Sequence, residues 1–355
     1  MTFTLDQYRT LGATGLRVSP IALGTMTFGG RESWHTGDDA AAERVFRRYA
    51  DAGGNFVDTA NVYAGGRGEE LLGGFLRSSG VRDRMVVATK FAVPTAPDDP
   101  NARGNGRKNL IASLDASLRR LRTDYVDLYW LHLWDTVTPA EEVMAAFDAV
   151  VRAGKARAVG LSNVPAWYAM KAQTLARGHG WAPVAALQLE YSLVRREVEW
   201  EHVPCALDQG MGVIPWYPLA GGFLTGKYTR DGDGVSGPGR LDAARAYPDP
   251  RPFTDRHWAV LDEVVAVAEE LDHTPAQVAL AWLARRPGVA SVLAGATTTD
   301  QLDANLAAAA IELSPEQMAR LDEVSRPDAP SPYHLFNAAR LTTGRSRPAA
   351  AARPS

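Results

Sequence analysis

Short apolar runs recur along the chain: SPIALGT from residue 19, NFVDT from 55, MVVATK from 85, VDLYWLH from 126, ARAVGLSN from 156, VAALQLEY from 184, GVIPWYP from 212 and SVLAG from 291. Their near-continuous apolar character predicts parallel strands covered on both faces, since half-exposed hairpins alternate polar and apolar positions. Helix-length segments lie between most of them. In TPAEEVMAAFDAVVRAGK, Thr138 is the expected cap, Pro139 takes the first helical position and Glu141 completes a capping box. Val143, Ala146, Phe147 and Val150 then face one side, and Gly154 ends the helix. TPAQ from 274 and SPEQ from 314 repeat the start signal. Strand, helix, strand at a spacing of roughly 30 residues is the βα unit, and repeated along one chain it points to a single (β/α)8 barrel, with a doubly wound open sheet as the competitor.

The segments outside this rhythm carry their own expectations. YRTLGATGLRVS near the start reads as a β-hairpin turning at Ala13 to Gly15 and closing the barrel bottom. The long gap between the seventh and eighth strands contains TRDGDGVSGPGRLDAARAYPDPRPF, rich in Gly, Asp and Pro, and reads as a mobile loop over the barrel mouth. Residues 1–326 are expected to form the barrel domain and 327–355 a C-terminal tail, disordered in its last third.

Composition excludes more than it selects. Among 355 residues, 46% are hydrophobic and 22% charged, as in an ordinary globular chain. A formal net charge of -3 gives no general attraction to nucleic acid or anionic lipid, so neither is an expected partner. No run of about 18 apolar residues and no basic-then-apolar leader occurs, which predicts a cytoplasmic protein with no membrane span. The single cysteine, Cys205, offers neither a disulfide nor a thiolate metal set, and reads as structural. No H-E-x-x-H is present and no metal is expected. Nothing in the pattern selects an oligomeric state.

Barrel enzymes place reactive side chains where strands end and βα loops begin. The second strand exits through Asp58 with Tyr63 just beyond, the third at Lys90 and the fourth at His132. Singly, each has an ordinary use: a turn cap, a loop aromatic, a solvated strand-end charge, a satisfied polar residue. A closed barrel brings all four to one rim, where an ammonium at Lys90 lowers the pKa of a phenol and a carboxylate keeps that lysine charged. His132 then orients a substrate oxygen or shares the proton. Such a set is an acid for a carbonyl oxygen, and reduction by hydride requires a nicotinamide. GDGVSG at 232–237 matches G-x-G-x-x-G, but no strand precedes it and Pro238 follows, so it is assigned to the loop. A lysine at a strand end also serves as a Schiff-base nucleophile in other barrels, which a charged partner at Asp58 opposes.

These residues resemble the aldo-keto reductase superfamily: DTANVY carries its Asp and Tyr, TKF its Lys and LHLWD its His. The likeness continues through AGKARAVGLSN, LQLEYS, PWYPLAGGFLTGKY and AGATTTDQLDANL, over roughly residues 8 to 325, and is strongest to the bacterial aryl-alcohol-dehydrogenase-like branch. The resemblance implies an NADPH-dependent reductase of aldehydes or ketones with Asp58, Tyr63, Lys90 and His132 as its tetrad. It also implies that Gly24, Thr25, Met26, Asp58, Ser162, Asn163, Gln188, Trp216, Pro218, Leu219, Gly221, Lys227, Gly295, Thr297, Gln301 and Asn305 line the cofactor. In that assignment Ser162, Asn163 and Gln188 hold the nicotinamide carboxamide and Trp216 stacks on its ring. Thr297 stands where many members carry the arginine that pairs with the 2′-phosphate, which leaves NADH open as an alternative, and Tyr217 stands where relatives carry serine. Phe28, Phe91 and Trp134 follow strand exits and, with Tyr63 and His132, are the expected contacts to a small-molecule carbonyl substrate. A keto-sugar reductase and a cofactor-retaining redox-sensing subunit like the potassium-channel β-subunits are the alternative uses the resemblance allows.

Overall fold

The computed structural model describes residues 5–30, 35–36, 38–96, 98–231, 234–243 and 253–336. Each apolar run forms a strand where the pattern places it: β1 Ile21–Gly24, β2 Phe56–Asp58, β3 Val86–Phe91, β4 Val126–Leu131, β5 Ala156–Ser162, β6 Val184–Glu190, β7 Gly212–Trp216 and β8 Val292–Gly295. They pair in parallel in the order β8-β1-β2-β3-β4-β5-β6-β7. A bridge between Val213 and Val289 brings β7 back to the edge of β8, with Ala290 donating to the Val213 carbonyl at 3.0 Å. The eight strands with intervening helices form the expected (β/α)8 barrel, and the open doubly wound sheet is excluded.

Two layers of core follow from the period-two alternation of the strands. Ala22, Phe56, Val86, Ala88, Leu128, Trp130, Ala186 and Ile214 fill the barrel interior. Their neighbours Leu23, Val57, Val87, Tyr129, Leu131, Val159, Leu161 and Leu187 pack outward against the helices. Each strand is thus apolar on both faces. The hairpin of Arg9–Thr10 and Arg17–Val18 forms as expected, and Leu11 and Val18 extend the inner cluster at the N-terminal end of the strands. Gly12 is required there: its φ is +57°, and a Cβ would lie 2.5 Å from the Gly210 carbonyl oxygen.

The helices used below are α1 Asp39–Asp51, α2 Arg67–Ser79, α3 Arg107–Leu121, α4 Ala140–Arg152, α5 Ala166–His179, α6 His202–Gln209, α7 Asp255–Leu271, α8 Pro275–Ala284, α9 Thr299–Ala307 and α10 Pro315–Val324. The capping boxes at Thr274 with Gln277 and at Ser314 with Gln317 are complete, each with proline in the first turn. The third start signal is read differently. Pro139 occupies the cap of α4 with no side-chain bond, and the Thr138 hydroxyl donates instead to Asp135 at 2.6 Å. That carboxylate also collects the backbone N–H groups of Asn105, Val137 and Thr138, a charged acceptor in place of the helix end. The predicted buried face of α4 forms as written, with Val143, Ala146, Phe147 and Val150 in the core.

Between β7 and α7, part of the predicted loop is ordered: Thr229–Asp231 pairs antiparallel with Gly234–Ser236, and Arg240–Ala243 makes one helical turn. The GDGVSG segment therefore contributes a strand of a ribbon and leads into no phosphate-binding helix; its residues 232–233 and the loop residues 244–252 lie outside the described residues. The chain divides into two compact units, 1–325 and 326–355. In the second, Tyr333–Phe336 forms a short helix, and 337–355 lie outside the described residues. No helix among the described residues is long and apolar enough to cross a membrane.

Candidate active site

The inner rows of β2 to β7 change chemistry at their C-terminal ends. Phe56 is followed two residues later by Asp58, Val86 and Ala88 by Lys90, and Leu128 and Trp130 by His132. Ala158 and Gly160 lead to Ser162, Ala186 to Gln188 and Ile214 to Trp216. Alternation alone turns these polar residues toward the barrel axis, so the apolar plug ends in a polar rim.

Four groups meet there. Lys90 and Asp58 are fully buried and form an ion pair. The Lys90 Nζ donates further to the Thr59 carbonyl at 2.9 Å and to the Tyr63 hydroxyl at 3.2 Å. Three acceptors thus take the three ammonium protons. The other Asp58 oxygen accepts from Gln188 Nε2 at 3.1 Å. Burial pushes the Asp58 carboxyl up and Lys90 down, but the carboxylate and the Tyr63 hydroxyl outweigh burial at the lysine and hold it above its ordinary value. His132 sits edge-on to Tyr63, with ring centroids 6.1 Å apart. Its burial, reinforced by the Lys90 charge, pulls it down to about 3, so the imidazole is neutral.

Tyr63 reaches this cluster through a local reversal. Ala64, Gly65 and Gly66 all have positive φ between β2 and α2. The turn is anchored from behind by Glu69, fully buried in the first turn of α2, which accepts from Arg120 Nε at 2.6 Å and from the hydroxyl of Thr89, the residue before Lys90.

The remaining predicted positions divide. Thr25 is buried and its hydroxyl and N–H both donate to the Asp58 carbonyl, which ties Gly24 and Thr25 to β2; Met26 stands beyond them, with its sulfur 3.9 Å from Arg240. Asn163, at φ +51°, donates to the Ser162 hydroxyl and to the His132 carbonyl, both at 3.0 Å, and accepts from the Trp216 indole at 3.1 Å. Ser162, Asn163, Gln188 and Trp216 therefore form one continuous wall beside the tetrad. Next come Pro218 and Leu219, then Gly221 at φ +69°, where a Cβ would lie 2.5 Å from the Tyr217 hydroxyl. Lys227 lies beside the Tyr228 ring, and burial lowers its pKa. Across β8, Gly295 accepts from Asn305 at 3.2 Å, while Gln301 is held by both the N–H and the hydroxyl of Thr297 at the start of α9.

Two expected substrate contacts are corrected. Phe91 follows Lys90 directly, so it points to the opposite face and packs on Tyr129 and Phe147 at 5.1 and 6.0 Å. Phe28 is fully buried against Phe75 of α2. Both are core aromatics. Trp134 stays at the rim, packed on Trp167 and Tyr168 at 5.4 and 5.7 Å, with Trp167 57% exposed. Sequence reading passed over Trp167, whose signal was its place in the first turn after the β5 exit. It also passed over Trp130, which stands two residues before His132 and so on the same inner face. Cys205 is half-buried on α6 near the Ala166 carbonyl, and burial raises its thiol.

Comparison with known proteins agrees with this geometry. The family model described as aldo/keto reductase family matches residues 20–326. Norsolorinic acid reductase stcV of Emericella nidulans is 34% identical over 87% of this chain and 79% of its own length. The uncharacterized oxidoreductase YrpG of Bacillus subtilis is 35% identical over 90% and 95%. An NADP(+) aryl-alcohol dehydrogenase of Phanerodontia chrysosporium is 34% identical over 94% and 89%. The chain belongs to the aldo/keto reductase family and is an oxidoreductase of that family, acting on small carbonyl compounds with a nicotinamide cofactor.

Proposed function

We propose that this enzyme reduces an aryl aldehyde or ketone to the alcohol with NADPH, and that Tyr63 delivers the proton to the carbonyl oxygen. The observation that carries the reading is the Lys90 ammonium set between the Asp58 carboxylate and the Tyr63 hydroxyl. A phenol ordinarily titrates near 10. A cation donating to its oxygen favours the phenolate and makes the hydroxyl a stronger acid. Tyr63 accepts from Lys90, which polarises the hydroxyl whose proton would pass to the substrate oxygen. The same count argues against a Schiff base: a lysine with all three protons engaged has no lone pair for attack. His132, neutral at working pH, orients the carbonyl through a hydrogen bond and is no proton source.

The wall beside the tetrad suits a nicotinamide dinucleotide. Ser162, Asn163 and Gln188 would hold the carboxamide, and the indole bond to Asn163 fixes the plane of Trp216 for stacking. Gly221, whose positive φ and tight packing against Tyr217 and Leu241 admit no Cβ, would present its backbone to the pyrophosphate, with Leu219 and Lys227 beside it. Gln301 and Asn305 line the adenosine end. When bound, the cofactor supplies the hydride. Thr297 offers a hydroxyl and no charge, so the preference for NADPH over NADH is expected to be modest. The aryl preference rests on Trp134 and Trp167 at the rim, and it agrees with the substrate class named for the Phanerodontia enzyme.

Purified protein mixed with 4-nitrobenzaldehyde is expected to consume nicotinamide absorbance, faster with NADPH than with NADH. No turnover of any aryl aldehyde or ketone in a broad panel with either dinucleotide would contradict the reading.

A further inference from the structure

Lys90 acts on the Tyr63 phenol only at hydrogen-bond range, and the ammonium and the hydroxyl stand 3.2 Å apart. Their backbones belong to different segments. Asn61 donates its N–H to the Lys90 carbonyl at 3.1 Å, and beyond it the chain turns on itself, with the Tyr63 N–H on the Ala60 carbonyl and the Gly65 N–H on the Val62 carbonyl. Ala64, Gly65 and Gly66 follow at φ of +48°, +65° and +96°. The left-handed region disfavours alanine and leaves glycine indifferent, so the turn's own preferences do not fix where Tyr63 stands.

What fixes it lies behind the turn. Gly68 rests against Tyr63, where a Cβ would stand 3.4 Å from the tyrosine Cβ. The next residue, Glu69, is a fully buried carboxylate outside the tetrad. One of its oxygens accepts from the Thr89 hydroxyl and the other from Arg120 Nε at 2.6 Å. Removed from water, a carboxylate depends on such donors, so the two bonds determine its place. Thr89 precedes Lys90 on β3, and alternation sends its side chain to the outer face as Lys90 enters the barrel. The Arg120 stem lies across Gly66, where a Cβ would stand 3.0 Å from its Cδ. One carboxylate therefore joins the strand of Lys90, the helix that follows the Tyr63 turn and, through Arg120, the turn itself.

We propose that Glu69 is a positioning residue: by tying Thr89 of β3 to α2 and to Arg120, it sets the spacing between the Lys90 ammonium and the Tyr63 hydroxyl. The proposal rests on the reading of Tyr63 as proton donor. With the Thr89 tie cut, turn and strand are free to separate, the ammonium acts less on the phenol and the phenol becomes a weaker acid. Lys90 from β3 and His132 from the end of β4 face Tyr63, Asp58 acts through Lys90, and Glu69 and Arg120 stand behind the turn. Replacing Thr89 alters none of these groups, so a moved pH limb reports their spacing.

The test compares Thr89→Val, which keeps the branched shape and removes the hydroxyl, with Thr89→Ser, which keeps the hydroxyl. With NADPH and 4-nitrobenzaldehyde, Thr89→Val is expected to lower kcat about tenfold and to move the high-pH limb of reduction up by about half to one pH unit, with KM and the cofactor Kd within about twofold of the parent. Thr89→Ser is expected to keep kcat within about twofold of the parent and to leave the limb where it was. A folded Thr89→Val with the parent's kcat and profile overturns the proposal, and so does a Thr89→Ser that falls as far as Thr89→Val. If Thr89→Val does not fold, Glu69→Gln answers instead. Its amide turns an oxygen to only one of the two donors, so one tie is lost with no charge left unpaired, and the same fall and the same shift are expected; parent behaviour there overturns the proposal. Tyr63→Phe separates the two ideas: full turnover there sinks the Tyr63 reading, whereas an inactive Tyr63→Phe beside an unmoved Thr89→Val profile sinks only the role given to Glu69.

Discussion

Burying the Lys90 ammonium with the Asp58 carboxylate strips solvation from both, and the pair persists because each has several protein partners. Lys90→Met removes the cation and leaves the carboxylate unpaired. It is expected to lower kcat by about a hundredfold or more, to move the high-pH limb of reduction toward the ordinary phenol value near 10, and to cost about 3 kcal/mol in urea unfolding. At His132, the pKa of about 3 means the ring gains charge only in strong acid. Lowering the pH from 8 to 5 therefore leaves it neutral, and the kcat profile should have no limb in that window from this residue. His132→Gln is expected to reduce kcat about tenfold while leaving the shape of the profile unchanged. At the adenosine end, Thr297→Arg is expected to tighten NADPH about tenfold relative to NADH, measured by quenching of protein fluorescence on titration. The gathering of Asp58, Lys90 and His132 was legible because each sits at a strand exit, with Tyr63 in the turn after the second strand. Phe28 and Phe91 were misread because an exit position does not say which face a side chain takes, and at Phe91 counting two from Lys90 settles it.

Elements followed from the apolar pattern wherever both faces of a strand are buried, and helix starts followed where the cap had no competitor. Thr274 and Ser314 cap as the sequence suggests, whereas Thr138 is drawn away by a charge that lies three residues upstream but whose backbone partner, Asn105, comes from the loop before α3. Local sequence cannot foresee that last contact. Thr274→Ala is expected to destabilise by about 1 kcal/mol, read as a lower urea midpoint. Helix packing was equally hidden. Gly73 of α2 lies against the backbone of α3, where a Cβ would stand 2.5 Å from the Leu121 carbonyl oxygen. Gly73→Ala forces the two helices apart and is expected to cost about 2 kcal/mol by the same measurement. Because Arg120 of α3 binds Glu69 behind the Tyr63 turn, this variant should also lower kcat more than it weakens cofactor binding.

At the scale of the barrel, closure converts sequence distance into proximity. Asp58 and Gln188 are 130 residues apart and share a hydrogen bond; Trp216 and Asn163 are 53 apart and do the same. A strand order that returns β8 to β1 and β7 to Val289 brings every inner row to one end, which gives the rim its density of polar groups. Length and composition were silent on this, while the spacing of apolar runs carried it. The proposed reaction turns on one proton leaving one hydroxyl at that rim. Its most direct test is Tyr63→Phe, assayed for turnover of 4-nitrobenzaldehyde alongside the Kd for NADPH. The expected result is a loss of kcat of about a thousandfold or more with the Kd within about twofold of the parent. Turnover equal to the parent's, with the cofactor bound as tightly, would contradict it.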